Sequence, residues 1–219
     1  MFKLRDKIKY SKGLTLIELM VVISIFLVIT TIVIFNYEGF SSTVSLQNLT
    51  DDIALSIRKA QSFAIGARGV TGNFSNSYGV HFSNTGTAPK DNLESSSKSF
   101  LMFSTKSSSE GYVAASSGSC SDGTNSCIEA FGIVTQDIIK DIKLNDGDLS
   151  FSPGAYLDII FTRPNPRATF CYRVSSVSST CDAVSSSISR ATIVVSNGNP
   201  DNEKIKNISI QNTGQISIQ

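Results

Sequence analysis

The sequence predicts an α+β fold in which one long N-terminal α-helix packs on an antiparallel β-sheet head domain. Three observations favour this fold: an apolar run of 22 residues from position 14 to position 35, a helical pattern that continues to about position 66, and short apolar segments between turn residues from there to position 219. With 219 residues and 41% hydrophobic content, the chain is long enough for one folded domain and an accessory segment.

The first thirteen residues differ from the rest of the chain in their positive charge. Five of the 19 Lys and Arg residues stand in the first twelve positions, where Asp6 is the only acidic residue. Once these six residues are set aside, 14 basic and 17 acidic residues remain, which does not indicate a nucleic-acid-binding surface. Because basic flanks stay on the cytoplasmic side of a membrane, we expect the chain after the apolar run to lie outside the cytoplasm.

The apolar run from Leu14 to Phe35 is long enough to span a bilayer, and Glu18 is its only ionisable residue. A secretory signal peptide would need small residues after the run, but the first alanine of the chain is Ala54. A lipoprotein signal would need a cysteine there, but the first cysteine is Cys120. Processing is therefore expected before the run.

The start of the run reads Lys12-Gly13-Leu14-Thr15-Leu16-Ile17-Glu18 and resembles the prepilin signature of the type IV pilin and type II secretion pseudopilin superfamily. The resemblance extends over about residues 12 to 35. It implies that prepilin peptidase cuts after Gly13, that Leu14 is then N-methylated where phenylalanine is commoner, and that Glu18 registers subunits during assembly. The implied partners are membrane lipid before assembly, an inner-membrane assembly platform, and other pilin or pseudopilin subunits that contact the N-terminal helix.

The position of Glu18 gives a physical reason for this role. A carboxylate in an apolar helix costs about 2.5 to 3.5 kcal/mol at the bilayer centre and less near its edge. Cleavage after Gly13 creates an α-amino group with an ordinary pKa of about 7.7 to 8.0, which can pair with Glu18 of a neighbouring helix. The simpler alternative is a glutamate at the membrane edge that reaches the headgroups.

After Phe35 the pattern becomes that of an amphipathic helix, with apolar residues at Val44, Leu46, Leu49, Ile53, Ile57, Ala60 and Ala64. Gly66 and Gly69 provide a stop signal, so a helix from about Leu14 to Ile65 would be roughly 75 to 80 Å long. The predicted organisation is a cleaved cytoplasmic leader at 1–13, a transmembrane or filament-core helix at 14–35, its amphipathic continuation at 36–66 and a β-rich head at 67–219.

Nine short segments of the head are predicted to be strands, because each alternates apolar with polar residues or is apolar throughout. They are Tyr78–Phe82, Phe100–Phe103, Ile128–Val134, Ile138–Leu144, Tyr156–Thr162, Ala168–Val174, Ala191–Val195, Ile205–Ile210 and Ile216–Ile218. Three stretches, 57–65, 78–82 and 158–161, resemble the FimT and pseudopilin H branch of the superfamily. This resemblance implies a head of two packed β-sheets and a minor subunit that primes or caps filaments.

The cysteines Cys120, Cys127, Cys171 and Cys181 are even in number, which favours disulfides and an oxidising compartment. They allow three pairings, of which we favour Cys120–Cys127 with Cys171–Cys181 because both loops are short; free buried thiols are the alternative. Neither spacing fits a zinc site, and His81 is the only histidine, so the sequence predicts neither a structural metal nor a cofactor.

Asn145, Asp146 and Asp148 surround Gly147, as in some calcium-binding loops. A simple turn is favoured over a calcium site, because the later glutamate of an EF-hand loop is missing.

Four basic residues of the head could contact DNA, which the resemblance to FimT-like minor pilins suggests: Arg163, Arg167, Lys204 and Lys206. The simpler interpretation is that they are solvated ends of hairpins.

These observations favour a structural filament subunit over two other classes. An adhesive or DNA-binding module at a filament tip would use the same helix and take its function from the head. A membrane-anchored extracytoplasmic enzyme fits least, because the sequence offers no catalytic triad and the segment from Gly13 to Glu18 would have no purpose. We therefore expect no enzymatic activity. We expect a single-pass membrane protein with a cytoplasmic leader and an external head, which later joins an extracellular or periplasmic filament.

Overall fold

The long helix is continuous, as predicted. The computed structural model describes residues 13–66, 76–83, 96–106, 109–112, 127–145, 149–150, 156–173, 181, 183–184 and 188–219. Helix α1 spans Leu16–Ile65 and joins the apolar run to the amphipathic pattern. Gly66, part of the predicted stop signal, follows its last residue. The chain divides into two compact units, one that ends at Ser41 and one from Ser42 to Gln219.

The second unit contains two antiparallel β-sheets, which confirms the predicted α+β class. The strands of the first sheet are β1 Ser77–Ser83, β2 Ser99–Thr105, β3 Cys127–Gly132, β6 Tyr156–Thr162, β7 Asn165–Arg173 and β8 Ala183–Val184. Those of the second are β4 Ile138–Leu144, β5 Leu149–Ser150, β9 Arg190–Ser196, β10 Ile205–Gln211 and β11 Ile216–Ile218. The orders are β3-β2-β1-β6-β7-β8 and β11-β10-β9-β4-β5. Each predicted strand is present, and β5 and β8, with two residues each, are additional.

The main core contains side chains from both sheets and from the second half of α1. Six residues of α1 are buried in it at helical spacing: Leu46, Leu49, Ile53, Ile57, Ala60 and Ala64. They are six of the seven apolar positions predicted for this stripe, whereas Val44 is 40% exposed. Burial of a Leu or Ile side chain stabilises the fold by about 1.5 to 3 kcal/mol. These buried residues are therefore the main contribution that holds the second half of α1 on the sheets.

A buried carboxylate also joins α1 to the connection between β3 and β4. Asp137 accepts hydrogen bonds from the hydroxyl of Ser45 on α1 and from that of Thr135, the latter at 2.6 Å. Lys98 donates to the carbonyls of Thr135 and Asp137 at 2.6 and 2.8 Å. Partial burial lowers the pKa of Lys98, and the charge of Asp137 opposes this effect. The connection is therefore fixed to the helix by polar as well as apolar contacts.

The six-stranded sheet is buried on its other face as well. A second apolar cluster lies there, formed by Leu101, Phe103, Tyr112, Cys127, Ile160 and Cys171, with Cys181 packed against it. Strands β2 and β6 therefore have five consecutive buried residues each instead of an alternating pattern. Burial on both faces is the physical reason for the near-continuous apolar runs in their sequences.

A disulfide between Cys171 and Cys181 adjoins this second cluster, with the two Cα atoms 5.2 Å apart. This bond agrees with the predicted sequential pairing. Cys127 is also disulfide-bonded. Its predicted partner, Cys120, lies outside the described residues.

Replacing both Cys171 and Cys181 with serine should lower the free energy of unfolding by about 2 to 3 kcal/mol, because the unfolded chain gains the freedom of a short loop. Urea unfolding of the full-length chain in detergent, followed by near-ultraviolet circular dichroism, measures this change. Val134→Ser, at a side chain that is 98% exposed, is the control and should change stability by less than about 0.5 kcal/mol. An unchanged urea midpoint in the double variant would contradict the prediction.

Candidate functional site at the start of the helix

The residues of the predicted processing site lie just before α1. Gly13, Leu14 and Thr15 are outside the helix and exposed, and the Leu14 side chain is 71% exposed. Added bulk at Gly13 would meet no atom within 4 Å. The bond between Gly13 and Leu14 is therefore not hindered by described parts of the chain.

Thr15 is the residue that starts the helix. Its hydroxyl accepts a hydrogen bond from the Glu18 amide at 3.4 Å, and its carbonyl accepts one from the Leu19 amide at 3.2 Å. A threonine at this position satisfies an amide that has no partner within the helix. Thr15 is therefore the N-cap residue of α1, and Gly13 and Leu14 precede the helix.

Glu18 is the third residue of α1 and lies in its first turn. The order Thr15-x-x-Glu18 is that of a capping box, and the contact made by Thr15 is present. This pattern was not predicted, although it is visible in the sequence. A carboxylate in the first turn also interacts favourably with the partial positive charge of the helix N-terminus. The carboxylate of Glu18 therefore favours the start of the helix.

The side chains of the first part of α1 are apolar and exposed. Its most apolar 18-residue window has a mean hydropathy of 2.8, and none of that window is buried in the protein. The hydroxyls of Thr30 and Thr31 donate to the carbonyls of Phe26 and Leu27 at 2.7 Å, so both are satisfied within the helix. By length and composition this helix can cross a membrane. A patch of this extent requires lipid or other protein around it.

The head contains a buried ionic cluster around Asp158 that was not predicted from the sequence. Asp158 is fully buried, and its two carboxylate oxygens lie 2.5 Å from Nδ1 of His81 and 2.9 Å from Nη2 of Arg173. The backbone amide of Tyr112 donates to the same carboxylate at 3.1 Å. The ring of His81 also stacks on Tyr156, with centroids 5.5 Å apart. These contacts identify His81 as a packed residue of the head.

Gly111 brings the chain into close contact with this cluster. A Cβ atom there would overlap a carboxylate oxygen of Asp158 and lie 2.6 Å from Nε of Arg173. The signal in the sequence is Asp158 itself, which interrupts the apolar strand Tyr-Leu-Asp-Ile-Ile-Phe-Thr. Because all these contacts are within the protein, the arrangement fixes the segment around Gly111 on the sheet.

The loop considered for calcium is only partly described. Asn145 has a positive φ of 49°. Its side-chain oxygen accepts a hydrogen bond from the amide of Ser189 at 2.8 Å. Asp146 and Asp148 lie outside the described residues. The described parts of the chain contain no group of three or more metal-binding side chains.

The four basic residues considered for DNA belong to two pairs at opposite ends of β10: Arg163 with Arg167, and Lys204 with Lys206. The amide of Ala168, next to Arg167, donates to the carbonyl of Asn212 just after β10. Lys204 precedes β10 and donates to the hydroxyl of Thr43 at 2.6 Å. Because a strand of this length covers about 20 Å, the two pairs do not form a single patch.

Comparison with known proteins identifies a sequence motif around the start of α1. Residues 8–34 match the family model described as the prokaryotic N-terminal methylation motif. This match confirms the predicted prepilin signature, and it covers the last six residues of the predicted leader and the apolar run up to residue 34. No curated protein and no solved structure matches the chain at a significant level. The resemblance to the FimT and pseudopilin H branch stays a prediction.

Proposed function

Because the chain carries the N-terminal methylation motif, the leader signature of type IV pilins and pseudopilins, we propose that it is a structural subunit of a filament. Prepilin peptidase cuts after Gly13, Leu14 becomes the methylated N-terminus, and α1 then docks among the helices of other subunits. The filament is of the type IV pilus or type II secretion pseudopilus kind. The chain is a minor subunit within it, and the assembly platform of the inner membrane receives it from the lipid bilayer.

The observation that carries this proposal is an exposed apolar helix that begins at a processing signature and continues into a folded head. The part of α1 from Leu16 to Phe35 extends over about 30 Å, close to the thickness of the hydrocarbon core. Apolar exposure continues past that length: Tyr37 is 66% exposed and Phe40 is 69% exposed. Together with Val44, they stand three and four residues apart on one helix face. The hydrocarbon core of a bilayer can cover only the part of α1 up to about Phe35. The exposed apolar residues beyond it therefore suit contact with neighbouring helices.

Mass spectrometry of sheared filaments tests the proposal. We expect a chain that begins at N-methylated Leu14 and occurs in fewer copies than the major subunit. The proposal fails if assembled protein retains residues 1–13, or if sheared filaments do not contain the chain.

Gly13→Val should prevent removal of the leader. The wild-type residue before the cleaved bond has no side chain, so the valine side chain should not fit the peptidase. An immunoblot that separates precursor from mature protein measures this effect, and we expect the precursor to predominate. Gly39→Ala is the matched control, since a Cβ at Gly13 or at Gly39 meets no atom within 4 Å. Normal maturation of Gly13→Val would contradict the assigned cleavage site.

A further inference from the structure

The outer face of the five-stranded sheet forms a shallow polar groove of about 270 Å³. Eight of the described residues line it and are here called the polar platform: Lys143, Arg190, Thr192, Asn207, Ser209, Gln211, Ser217 and Gln219. All eight side chains are polar, and two of them, Lys143 and Arg190, are cationic. This composition differs from that of the opposite face of the same sheet, which contributes isoleucines and valine to the main core.

The strand register places the platform residues in rows across the sheet. Lys143 pairs with Thr192, Thr192 with Ser209, and Ser209 with Ser217. Arg190 and Gln211 pair in the neighbouring row. Adjacent strands are about 4.8 Å apart, so the first row extends over about 14 Å. The groove therefore presents hydrogen-bonding groups at regular spacing, and the main core packs against the other face of the sheet.

The chemistry of the platform favours a ligand rich in hydroxyl groups that also carries negative charge. Hydroxyl and amide side chains both donate and accept hydrogen bonds, as sugar hydroxyls do. The hydroxyls of Thr192 and Ser209 lie 3.1 Å apart and hydrogen-bond to each other, which aligns them across the row. Lys143 and Arg190 add positive charge that suits a carboxylate. We propose that the polar platform binds an acidic polysaccharide of the uronic-acid type.

Duplex DNA is a poorer match to this surface. Binding to its phosphate backbone requires several cations, whereas the platform has two among eight residues. Stable binding of single strands relies on aromatic side chains that stack on bases, and the described residues of the platform include no aromatic side chain. A ligand with many hydroxyl groups can form hydrogen bonds with the six neutral side chains of the platform.

Isothermal titration of the full-length protein in detergent with hexagalacturonate tests the proposal. We expect saturable binding at low salt that weakens as ionic strength rises. The double variant Lys143→Gln/Arg190→Gln should weaken binding by about tenfold or more, because each cation loses a charge-assisted contact. Asn207→Asp, which adds a repelling carboxylate and keeps the side-chain shape, should weaken it as well.

Controls separate this site from general electrostatic attraction. Arg58→Gln removes a cation from an exposed position on α1 and should leave binding unchanged. Circular dichroism verifies that each variant is folded. The proposal is overturned if hexagalacturonate does not bind, if Asn207→Asp binds it like the wild type, or if a short duplex DNA binds more tightly. Filament assembly of the platform variants should be normal, so this test is independent of the proposed structural role.

Discussion

Glu18→Ala should be processed after Gly13 like the wild type and yet be lost from filaments. The new α-amino group of Leu14 and the carboxylate of Glu18 would form a pair between neighbouring helices in an apolar environment. Removing one member of a buried pair costs about 3 to 5 kcal/mol, which corresponds to a loss of incorporation by about a hundredfold or more. Immunoblots of membranes and of sheared filaments measure cleavage and incorporation separately.

Two further variants separate pairing from the capping role of Glu18. Glu18→Gln keeps the shape of the side chain but has no charge, so it should fail to assemble if the pair is ionic. Asp51→Ala removes an exposed carboxylate from the same helix and should assemble normally. If Glu18→Gln enters filaments like the wild type, Glu18 acts through the helix start and not through an ion pair.

Asp158→Ala should destabilise the head by about 3 to 5 kcal/mol, because Arg173 and His81 lose a carboxylate in a place without solvent. Arg173 is 1% exposed, so water cannot replace the lost partner. Urea unfolding of the full-length chain in detergent measures the change.

The matched control is Glu129→Ala. Glu129 pairs with Lys59 at 2.5 Å, but both side chains are 40% exposed, so this change should cost only about 0 to 1 kcal/mol. The double variant Asp158→Ala/Arg173→Met should recover part of the loss, since it removes both charges. Equal effects of Asp158→Ala and Glu129→Ala would show that the buried cluster contributes no more than a surface pair.

Local patterns were sufficient to predict the helix and the nine main strands. The spacing of Leu46, Leu49 and Ile53 indicates one buried helix face, and Gly66 ends the helix where predicted. Val44 continues the apolar pattern but is 40% exposed. The pattern alone does not show which apolar residues contact the head.

Contacts between distant segments could not be predicted. His81 and Asp158 are 77 residues apart in sequence, and they meet because β1 and β6 are neighbours in the sheet. A strand that is buried on both faces does not reveal its neighbour, so the pair was not predictable from either segment. The outward-facing row of Lys143, Thr192 and Ser209 depends in the same way on a strand order that departs from sequence order.

The boundary between the two compact units lies inside α1, and this has a practical consequence for producing the protein. Among the described residues, Leu46 is the first buried one, and the polar contacts of Thr43 with Lys204 and of Ser45 with Asp137 also lie after Ser42. A recombinant fragment that starts at Ser42 would therefore discard the whole lipid-compatible segment and keep every described side chain of the main core. Such a fragment offers a route to a detergent-free, water-soluble sample of the head.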